Sequence, residues 1–268
     1  MRFLSIILSI CFVSGSDVRI MTYNLLNFSD DDNREMHYIS ILESVLPDLI
    51  VVQEVVGQTG FTHFQSDVLD VFQNGQWSGA PFINQSAQQD IALFFKHDIF
   101  SFVSTGAVAT AQSSGTRDVI EWSMVHDMSE IEFNIYGAHF KASSGSSNAQ
   151  QRLAEATVLR QHLNSLSGSY FIVAGDFNIY SNSASTEPAF NMLTGESDNN
   201  GGRLFDPIDR IGNWHNNSSF SDVHTQSPRT TSFGGGANGG MDDRFDWLFV
   251  SESILNTQSR MVYIDDSY

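Results

Sequence analysis

Phe171-Ile172-Val173-Ala174-Gly175-Asp176-Phe177-Asn178 is an apolar run that ends in a carboxylate and an amide. Its β-branched and aromatic residues predict a short buried strand over residues 170–174. Three other apolar runs also end in a polar side chain. A fifth run, over residues 246–250, has its polar side chain at the start instead. The polar residues at the ends of these other four runs are Asn24, Glu54, His139 and Asp246.

These strand ends predict one shared site. If the strands lie in facing sheets, their carboxylates, amides and imidazole meet at a single rim. Hard oxygen ligands of this kind hold Mg²⁺, and an imidazole beside them can transfer a proton. Taken singly, each residue also fits an ordinary role: a turn asparagine, a helix-capping carboxylate or a surface histidine. Five such coincidences in order favour the shared site.

Outward from this stretch, apolar runs alternate with helical patterns, and no repeat or linker divides the chain. The pattern predicts a strand, a helix ended by Pro47 and a second strand, over residues 18–26, 35–46 and 49–56. Residues 61–72 are predicted to be helical. The charge spacing over residues 148–166 predicts another helix, exposed to solvent. Four successive strands predict an antiparallel meander, and a last clear strand follows it; these cover residues 91–96, 100–108, 119–125, 131–140 and 244–250.

Composition narrows the class of protein. The 268 residues are 41% hydrophobic and include 21 Phe, which excludes intrinsic disorder and favours one globular domain. The formal net charge of −18 argues against a nucleic-acid coat protein or regulator, because nonspecific binding depends on many Lys and Arg contacts to phosphate. A metal-dependent enzyme acting on phosphates can still be acidic, since bound cations reverse the local charge.

The first sixteen residues have the pattern of a secretory signal peptide: Met1-Arg2, an apolar run over residues 3–13, and Ser14-Gly15-Ser16. A lipoprotein signal at Cys11 is the weaker alternative, because bulky Ile10 precedes it. Cleavage after Ser16 removes the one cysteine, so we expect a secreted or periplasmic protein without disulfides. No later apolar segment approaches the roughly 20 residues that a membrane span needs, so no stable membrane association is expected.

The chain resembles the endonuclease/exonuclease/phosphatase superfamily, the deoxyribonuclease I-like group, from about residue 18 to residue 251. The resemblance implies an α/β fold: a four-layer α/β sandwich of two packed mixed β-sheets flanked by helices. It also implies divalent-metal hydrolysis of phosphodiesters or phosphomonoesters. The motifs are Thr22-Tyr23-Asn24, Gln53-Glu54, Gly137-Ala138-His139-Phe140-Lys141, Gly175-Asp176-Phe177-Asn178 and Asp243-Arg244-Phe245-Asp246. Among members, secreted bacterial nucleases with a Gly-Gly-Met-Asp-Asp-Arg-Phe-Asp block are the most similar.

The same resemblance assigns roles. Glu54 would be the principal ligand of Mg²⁺, with Mn²⁺ or Ca²⁺ as alternatives, and Asn24 would lie beside it. Asp176 and Asn178 would position the attacking water and the phosphate. His139 would act as an acid or electrostatic partner, and Asp246 would complete the site. Three further residues each have two possible roles. Arg117 contacts phosphate or pairs with Asp118, and Lys141 contacts phosphate or is a solvated strand end. Asp90 orients His139 or caps its strand.

The remaining motifs are interpreted as structural. Asp222 and His224 precede the Asp246 strand, whereas relatives place a Ser-Asp-His motif after it. The final strand and that motif are therefore expected to be missing, and this form to be poorly active. Arg152 and Glu155 suggest surface ion pairing, and the glycine-rich residues 234–240 a flexible loop. The four tryptophans are expected in the core or at its rim: Trp77, Trp122, Trp214 and Trp247.

The leading function is a monomeric nuclease with nucleic acid as substrate. A phosphatase or lipid phosphodiesterase of the same superfamily is the first alternative, favoured by the acidic surface. A binding protein with an impaired site is the second, and the five strand-end groups argue against it.

Overall fold

The computed structural model describes residues 6–13, 15–31, 33–113, 115–166, 169–265 and 267. Within these residues, the strands form a six-stranded and a five-stranded sheet. The six-stranded sheet, in spatial order, consists of β11 (Met261–Tyr263), β1 (Ile6–Phe12), β2 (Ser16–Phe28), β3 (Leu49–Val55), β5 (Asp90–Lys96) and β4 (Trp77–Gly79). The five-stranded sheet consists of β10 (Asp246–Val250), β9 (Phe171–Asp176), β8 (Ile131–His139), β7 (Val119–His126) and β6 (Phe100–Val108).

Helices cover the outer faces of the two sheets. Pro47 follows α1, which ends where Leu46 adopts a left-handed backbone conformation with φ of 52°. A π-helical segment over Phe64–Leu69 joins α2 to α3. The helices are α1 (Glu35–Val45), α2 (Gly57–His63), α3 (Asp70–Phe72), α4 (Ser146–Leu163), α5 (Pro188–Thr194) and α6 (Glu252–Leu255).

Three apolar clusters hold four layers together. The first lies between the sheets, where residues such as Leu93 of β5 and Trp122 of β7 are almost fully buried. The second packs the five-stranded sheet against α4 and α5. The third packs the six-stranded sheet against α1 and α2. The predicted four-layer sandwich of two mixed sheets is therefore confirmed, and all four tryptophans are buried as expected.

Two predictions about the elements are wrong. The predicted meander over four strands includes only β6, β7 and β8, because β5 pairs with β3 and β4 in the other sheet. The helix α4 is not simply exposed: Arg152 and Glu155 are fully buried rather than on the surface. Arg152 donates to Glu187 at 2.6 Å, which supplies the partner that a buried guanidinium requires.

The amino-terminal apolar run forms β1 in this structure. Ile6, Leu8, Ile10 and Phe12 are buried, and β1 pairs antiparallel with both β2 and β11. Residues 1–5 and Ser14 of the predicted signal peptide lie outside the described residues, and the signal peptide stays a prediction. Among the described residues, no helix is long and apolar enough to cross a membrane.

Candidate active site

The five-stranded sheet places three ionisable side chains in one row. His139 of β8 is the register partner of Asp176 on the parallel strand β9. Asp246 of β10 is the partner of Asp176 from the other side. The strand β10 is antiparallel to β9, which is why its carboxylate begins the apolar run instead of ending it. Cross-strand partners stand about 5 Å apart, so the carboxylate of Asp176 lies between an imidazole and a second carboxylate.

The six-stranded sheet delivers Asn24 and Glu54 to the same place. Asn24 of β2 pairs with Gln53 of β3, and the ladder then shifts register before it resumes at Phe28 and Val55. The ladder between β3 and β5 shifts between Gln53 and Val55 as well. Glu54 therefore falls outside both ladders, and such bulges turn a side chain away from its strand.

Several residues around the site hold a left-handed backbone conformation. The φ angles are 55° at Asn27, 62° at Glu54, 80° at Gln89 and 51° at Asn178. Non-glycine residues pay on the order of 1 kcal/mol or more for this conformation, and they keep it where the surrounding contacts fix it. The strain is thus concentrated where polar side chains converge.

The amide of Asn24 joins the two sheets at this point. Its Nδ2 donates to Oε1 of Glu54 at 3.0 Å and to Oδ2 of Asp176 at 3.1 Å. Nε2 of His139 lies 3.9 Å from the same oxygen of Glu54 and 4.0 Å from the same oxygen of Asp176. The other oxygen of Asp176 accepts the backbone N–H of Asn178 at 3.0 Å. All five strand ends singled out in the sequence are thereby brought together.

A second set of contacts fixes Glu54 from behind. Its Oε2 accepts the backbone N–H of Asn27 at 3.1 Å and Nε2 of Gln89 at 3.2 Å. Nε of Arg117 donates to the backbone oxygen of Gln89 at 2.8 Å, and its Nη2 donates to the side-chain oxygen of the same residue. Asp118 instead accepts the backbone N–H of Ala111. Arg117 is therefore directed toward the carboxylates of the site.

Burial and mutual repulsion perturb the carboxylates. Burial, and then the nearby charge of Glu54, raise the pKa of Asp176 to about 7, against the hydrogen bonds from Asn24 and Asn178. Burial, and then Asp176, raise the pKa of Asp246 well above its ordinary value. Groups whose pKa is displaced toward neutrality are typical of sites that transfer protons.

His139 is held neutral. Burial, and then the charge of Arg117, lower its pKa well below the ordinary value for histidine. Its Nδ1 is buried and has no hydrogen-bond partner, while Nε2 faces Glu54 and Asp176. The imidazole is available to hold or move a proton through Nε2.

The donor set fits a hard divalent cation. Oδ1 of Asp246 is buried without a hydrogen-bond partner, and Glu54 and Asp176 add carboxylate oxygens in an environment that repels their charges. Oxygen ligands of this class suit Mg²⁺. Within the part of the chain that the structure describes, no group of three or more His, Cys, Asp or Glu side chains is already arranged to hold an ion.

Two predicted site residues serve local structure. Asp90 accepts the backbone N–H of Gln85 at 2.8 Å, which is the capping role, and Nδ1 of His139 is left without a partner. The interpretation in which Asp90 orients His139 is therefore wrong in this arrangement. Nζ of Lys141 donates to the backbone oxygen of Ala142, and its backbone N–H donates to Glu155. A phosphate contact by Lys141 stays a prediction.

Sequence reasoning missed Gln89, Asn27 and Thr225. The first two hold Glu54 and Arg117 as described above. Oγ1 of Thr225 accepts the backbone N–H of Asp246 at 3.0 Å. One sequence signal could have identified Gln89: it lies with Asp90 directly before the apolar run of β5. Because β5 pairs with β3, a polar residue at the start of β5 lies near Glu54 of β3.

Asp222 and His224 are structural, as interpreted. Asp222 pairs with Arg210 at 2.9 Å on the surface. The two ring nitrogens of His224 contact the backbone oxygens of Met241 and Trp214, so the ring is fixed inside its own loop. Neither side chain takes part in the cluster of carboxylates.

Comparison with known families and structures agrees with this geometry. The profile of the Endonuclease/Exonuclease/phosphatase family matches residues 21–267. No curated protein sequence matches the chain significantly. Members of this superfamily are generally metal-dependent phosphoester hydrolases.

Solved structures share the fold at low sequence identity. An endonuclease/exonuclease/phosphatase from Bacteroides vulgatus is 15% identical, with a TM-score of 0.62 over 89% of this chain and 88% of that one. Zebrafish (D. rerio) TDP2 complexed with a single-strand DNA product is 15% identical, with a TM-score of 0.57 over 87% and 82%. A mannosyl-6-phosphatase from Bacteroides thetaiotaomicron is 16% identical, with a TM-score of 0.53 over 87% and 85%. At this identity the likeness concerns the fold alone.

Proposed function

The chain belongs to the endonuclease/exonuclease/phosphatase family, and on this premise we propose that it is a secreted, divalent-metal-dependent phosphodiesterase that hydrolyses DNA. The observation that carries the proposal is the Asn24 amide, which bridges Glu54 of one sheet and Asp176 of the other beside Nε2 of His139. This arrangement places an imidazole within 4.0 Å of two hydrogen-bonded carboxylates that could ligate a cation.

A cation held by Glu54, with Asn24 beside it, would neutralise charge on the phosphoryl oxygens. The protein's own residues then handle the protons and the orientation. Asp176 accepts the proton of the attacking water in its ionised form, which the cation and the hydrogen bonds from Asn24 and Asn178 would favour. Asn178 holds Asp176 through its backbone N–H and orients it toward the substrate.

His139 and Arg117 act on the substrate. The neutral imidazole keeps its proton and donates a hydrogen bond from Nε2 to the oxygen that leaves phosphorus, which stabilises the negative charge developing there; the released oxygen takes its proton from solvent. The guanidinium of Arg117 is buried behind Glu54 and adds positive potential, which favours an anionic phosphate at the rim. Burial, and then the like charge of Asp176, raise the pKa of Asp246, so a nearby cation would favour its ionised form.

Two neighbours in the structural comparison support different substrates. TDP2 was solved with a single-strand DNA product, which supports the nuclease proposal. The mannosyl-6-phosphatase supports a phosphatase, which is the alternative function. The net charge of −18 also favours the alternative, because it repels a long polyanion.

A panel of phosphoesters separates these candidates. The purified protein is incubated with supercoiled plasmid, an RNA transcript, p-nitrophenyl phosphate, inositol phosphates and sphingomyelin, each with Mg²⁺ and with chelator. We expect nicking of the plasmid that the chelator abolishes. Hydrolysis of a monoester or of sphingomyelin with intact plasmid would replace the nuclease by the alternative.

Secretion is proposed from the amino-terminal sequence and is tested by mass. In the protein recovered from the producing bacterium, cleavage after Ser16 gives a chain that begins at Asp17 and lies outside the cytoplasm. An intact amino terminus in cytoplasmic protein would contradict the proposal. It would favour the arrangement in which Ile6–Phe12 stays as strand β1.

A further inference from the structure

The glycine-rich loop, defined here as residues 226–240, lies across the rim of the candidate active site. At one end it follows Thr225, whose hydroxyl accepts the backbone N–H of Asp246. Toward its tip, the backbone oxygen of Gly234 accepts Nδ2 of Asn27 at 2.8 Å. The backbone N–H of the same Asn27 donates to Glu54. The loop therefore connects the two sheets at the level of the carboxylates.

The glycines allow this course. Gly234 and Gly235 have φ angles of 59° and 81°, which residues with a side chain rarely adopt. A Cβ on Gly236 would lie 2.7 Å from Cδ1 of Leu26, so the backbone passes close to the end of β2. The loop is seated against the rim.

The loop presents an aromatic ring and a cation together. Phe233 is 43% exposed and is the one aromatic residue among the large exposed hydrophobic side chains of the described residues. The guanidinium carbon of Arg229 lies 4.0 Å from the centre of its ring. Arg229 is exposed and forms no ion pair with a carboxylate within the described part of the chain. The protein has a net charge of −18, so an exposed cation without an acidic partner differs from the overall charge of the protein.

From this placement we propose that Phe233 and Arg229 form a subsite for single-stranded nucleic acid, Phe233 stacking on an unpaired base and Arg229 contacting the adjacent phosphate. The proposal rests on the proposed function and adds to the same site a binding subsite for an unpaired nucleotide. An exposed ring can stack on any base, but a base inside a duplex offers no free face. Seating of the loop beside Glu54 places the phosphate that follows the stacked nucleotide near the carboxylates.

Equilibrium binding tests the subsite without catalysis. A fluorescein-labelled 12-mer oligodeoxythymidylate is titrated with the full chain in EDTA, and anisotropy gives Kd. We expect Phe233→Ala to raise Kd by about 5- to 160-fold, the range that corresponds to losing one base–aromatic stack. Arg229→Ala should weaken binding and reduce the slope of log Kd against log salt by about 0.7, since one phosphate contact is lost.

Matched controls come from the opposite end of the sheet. Met128 is 71% exposed and Arg260 donates to Ser129 beside it, at the turn before β8, whereas His139 ends that strand. Met128→Ala and Arg260→Ala should leave Kd within about twofold. A blunt duplex of the same length should bind more weakly than the single strand, and Phe233→Ala should not change its Kd.

Hydrolysis of bis(4-nitrophenyl) phosphate with Mg²⁺ separates the two proposals. This small diester contains no oligonucleotide chain, so its hydrolysis by the wild type tests the proposed function alone. Unchanged oligonucleotide binding in Phe233→Ala, equal loss for duplex and single strand, or no binding by the wild type would overturn the subsite. No hydrolysis of the diester by the wild type would instead overturn the proposed function.

Discussion

Asp176 is the carboxylate to which the proposed mechanism assigns proton transfer. It receives hydrogen bonds from Asn24 and Asn178, yet burial and Glu54 still raise its pKa to about 7. The cost of ionising it comes from desolvation and from like charge, and a bound divalent cation reduces both. The same residue is therefore suited to share a cation with Glu54 and to accept a proton.

His139→Ala should lower turnover more than substrate affinity. The neutral imidazole donates a hydrogen bond to the leaving oxygen, and removing one such donor costs roughly 10²- to 10³-fold in turnover. Steady-state kinetics on a DNA substrate with Mg²⁺ give kcat and KM separately. A variant with normal kcat and a raised KM would argue against a catalytic role for His139.

Sequence identified the residues that end strands but not those that hold them. Glu54, His139 and Asp176 follow apolar runs, so their position is encoded locally. Gln89 and Asn27 contact Glu54 because their backbones adopt left-handed conformations, and nothing in the local pattern predicts that. For Asp90 the sequence was misleading. A carboxylate before a strand suggested a partner for His139, whereas Asp90 accepts the backbone N–H of Gln85.

At the scale of elements, β8 and β9 approach each other closely next to the site. Gly175 precedes Asp176 and has a φ of 152°, and a Cβ there would lie 1.9 Å from the backbone oxygen of Ala138. The glycine is what allows His139 and Asp176 to become register partners.

Gly175→Ala should destabilise the protein by about 3 kcal/mol or more, because the added methyl group collides with backbone that cannot move aside. Urea unfolding followed by circular dichroism measures the change. Gly106→Ala in β6 is the control, since a Cβ there meets nothing within 4 Å. Equal stability of the two variants would contradict the described approach of β8 to β9.

The helix α4 carries a buried carboxyl group. Burial raises the pKa of Glu155 to about 7, and its Oε1 has no hydrogen-bond partner. A raised pKa means that the folded state binds the proton more tightly than the unfolded state. Its stabilising contribution is present below the ordinary pKa near 4.5 and is lost as pH rises through about 7.

Glu155→Gln should therefore raise the Tm at pH 8, by about 5 °C, and have little effect at pH 5. Glutamine keeps the acceptor for the backbone N–H of Lys141 and removes the charge. Glu196→Gln, at a side chain that is 79% exposed, is the control and should change the Tm by less than about 1 °C. A pH-independent shift in Glu155→Gln would contradict the buried charge.

Apolar periodicity predicts most of the helices and strands. It predicts less well which strands pair with each other. Strands such as β5 and β9 are continuous apolar runs, which the sequence shows directly. The meander prediction failed because the turn between β5 and β6 carries the chain from one sheet to the other, and a three-residue turn gives no sign of that. Likewise, Arg152 resembles a surface residue until Glu187, 35 positions away, covers it.

At the scale of the whole molecule, the charge is distributed unevenly with respect to function. The chain carries 31 acidic and 13 basic residues. Among the described residues, several basic side chains are paired with carboxylates, including Lys96, Arg152, Arg203, Arg210 and Arg244. Arg117 lies beside the site and Arg229 on the loop that crosses it. These two guanidinium groups supply local positive potential at the rim, although the protein as a whole repels an anionic substrate.

Nicking of supercoiled plasmid by the wild type and by Glu54→Gln, each with Mg²⁺ and with EDTA, tests whether hydrolysis depends on a cation held by Glu54. Glutamine keeps the size of the side chain but removes one anionic cation ligand. We expect nicking only by the wild type with Mg²⁺, while both proteins unfold at similar temperature in EDTA. Nicking at the wild-type rate by a folded Glu54→Gln variant, or by the wild type in EDTA, would contradict that dependence.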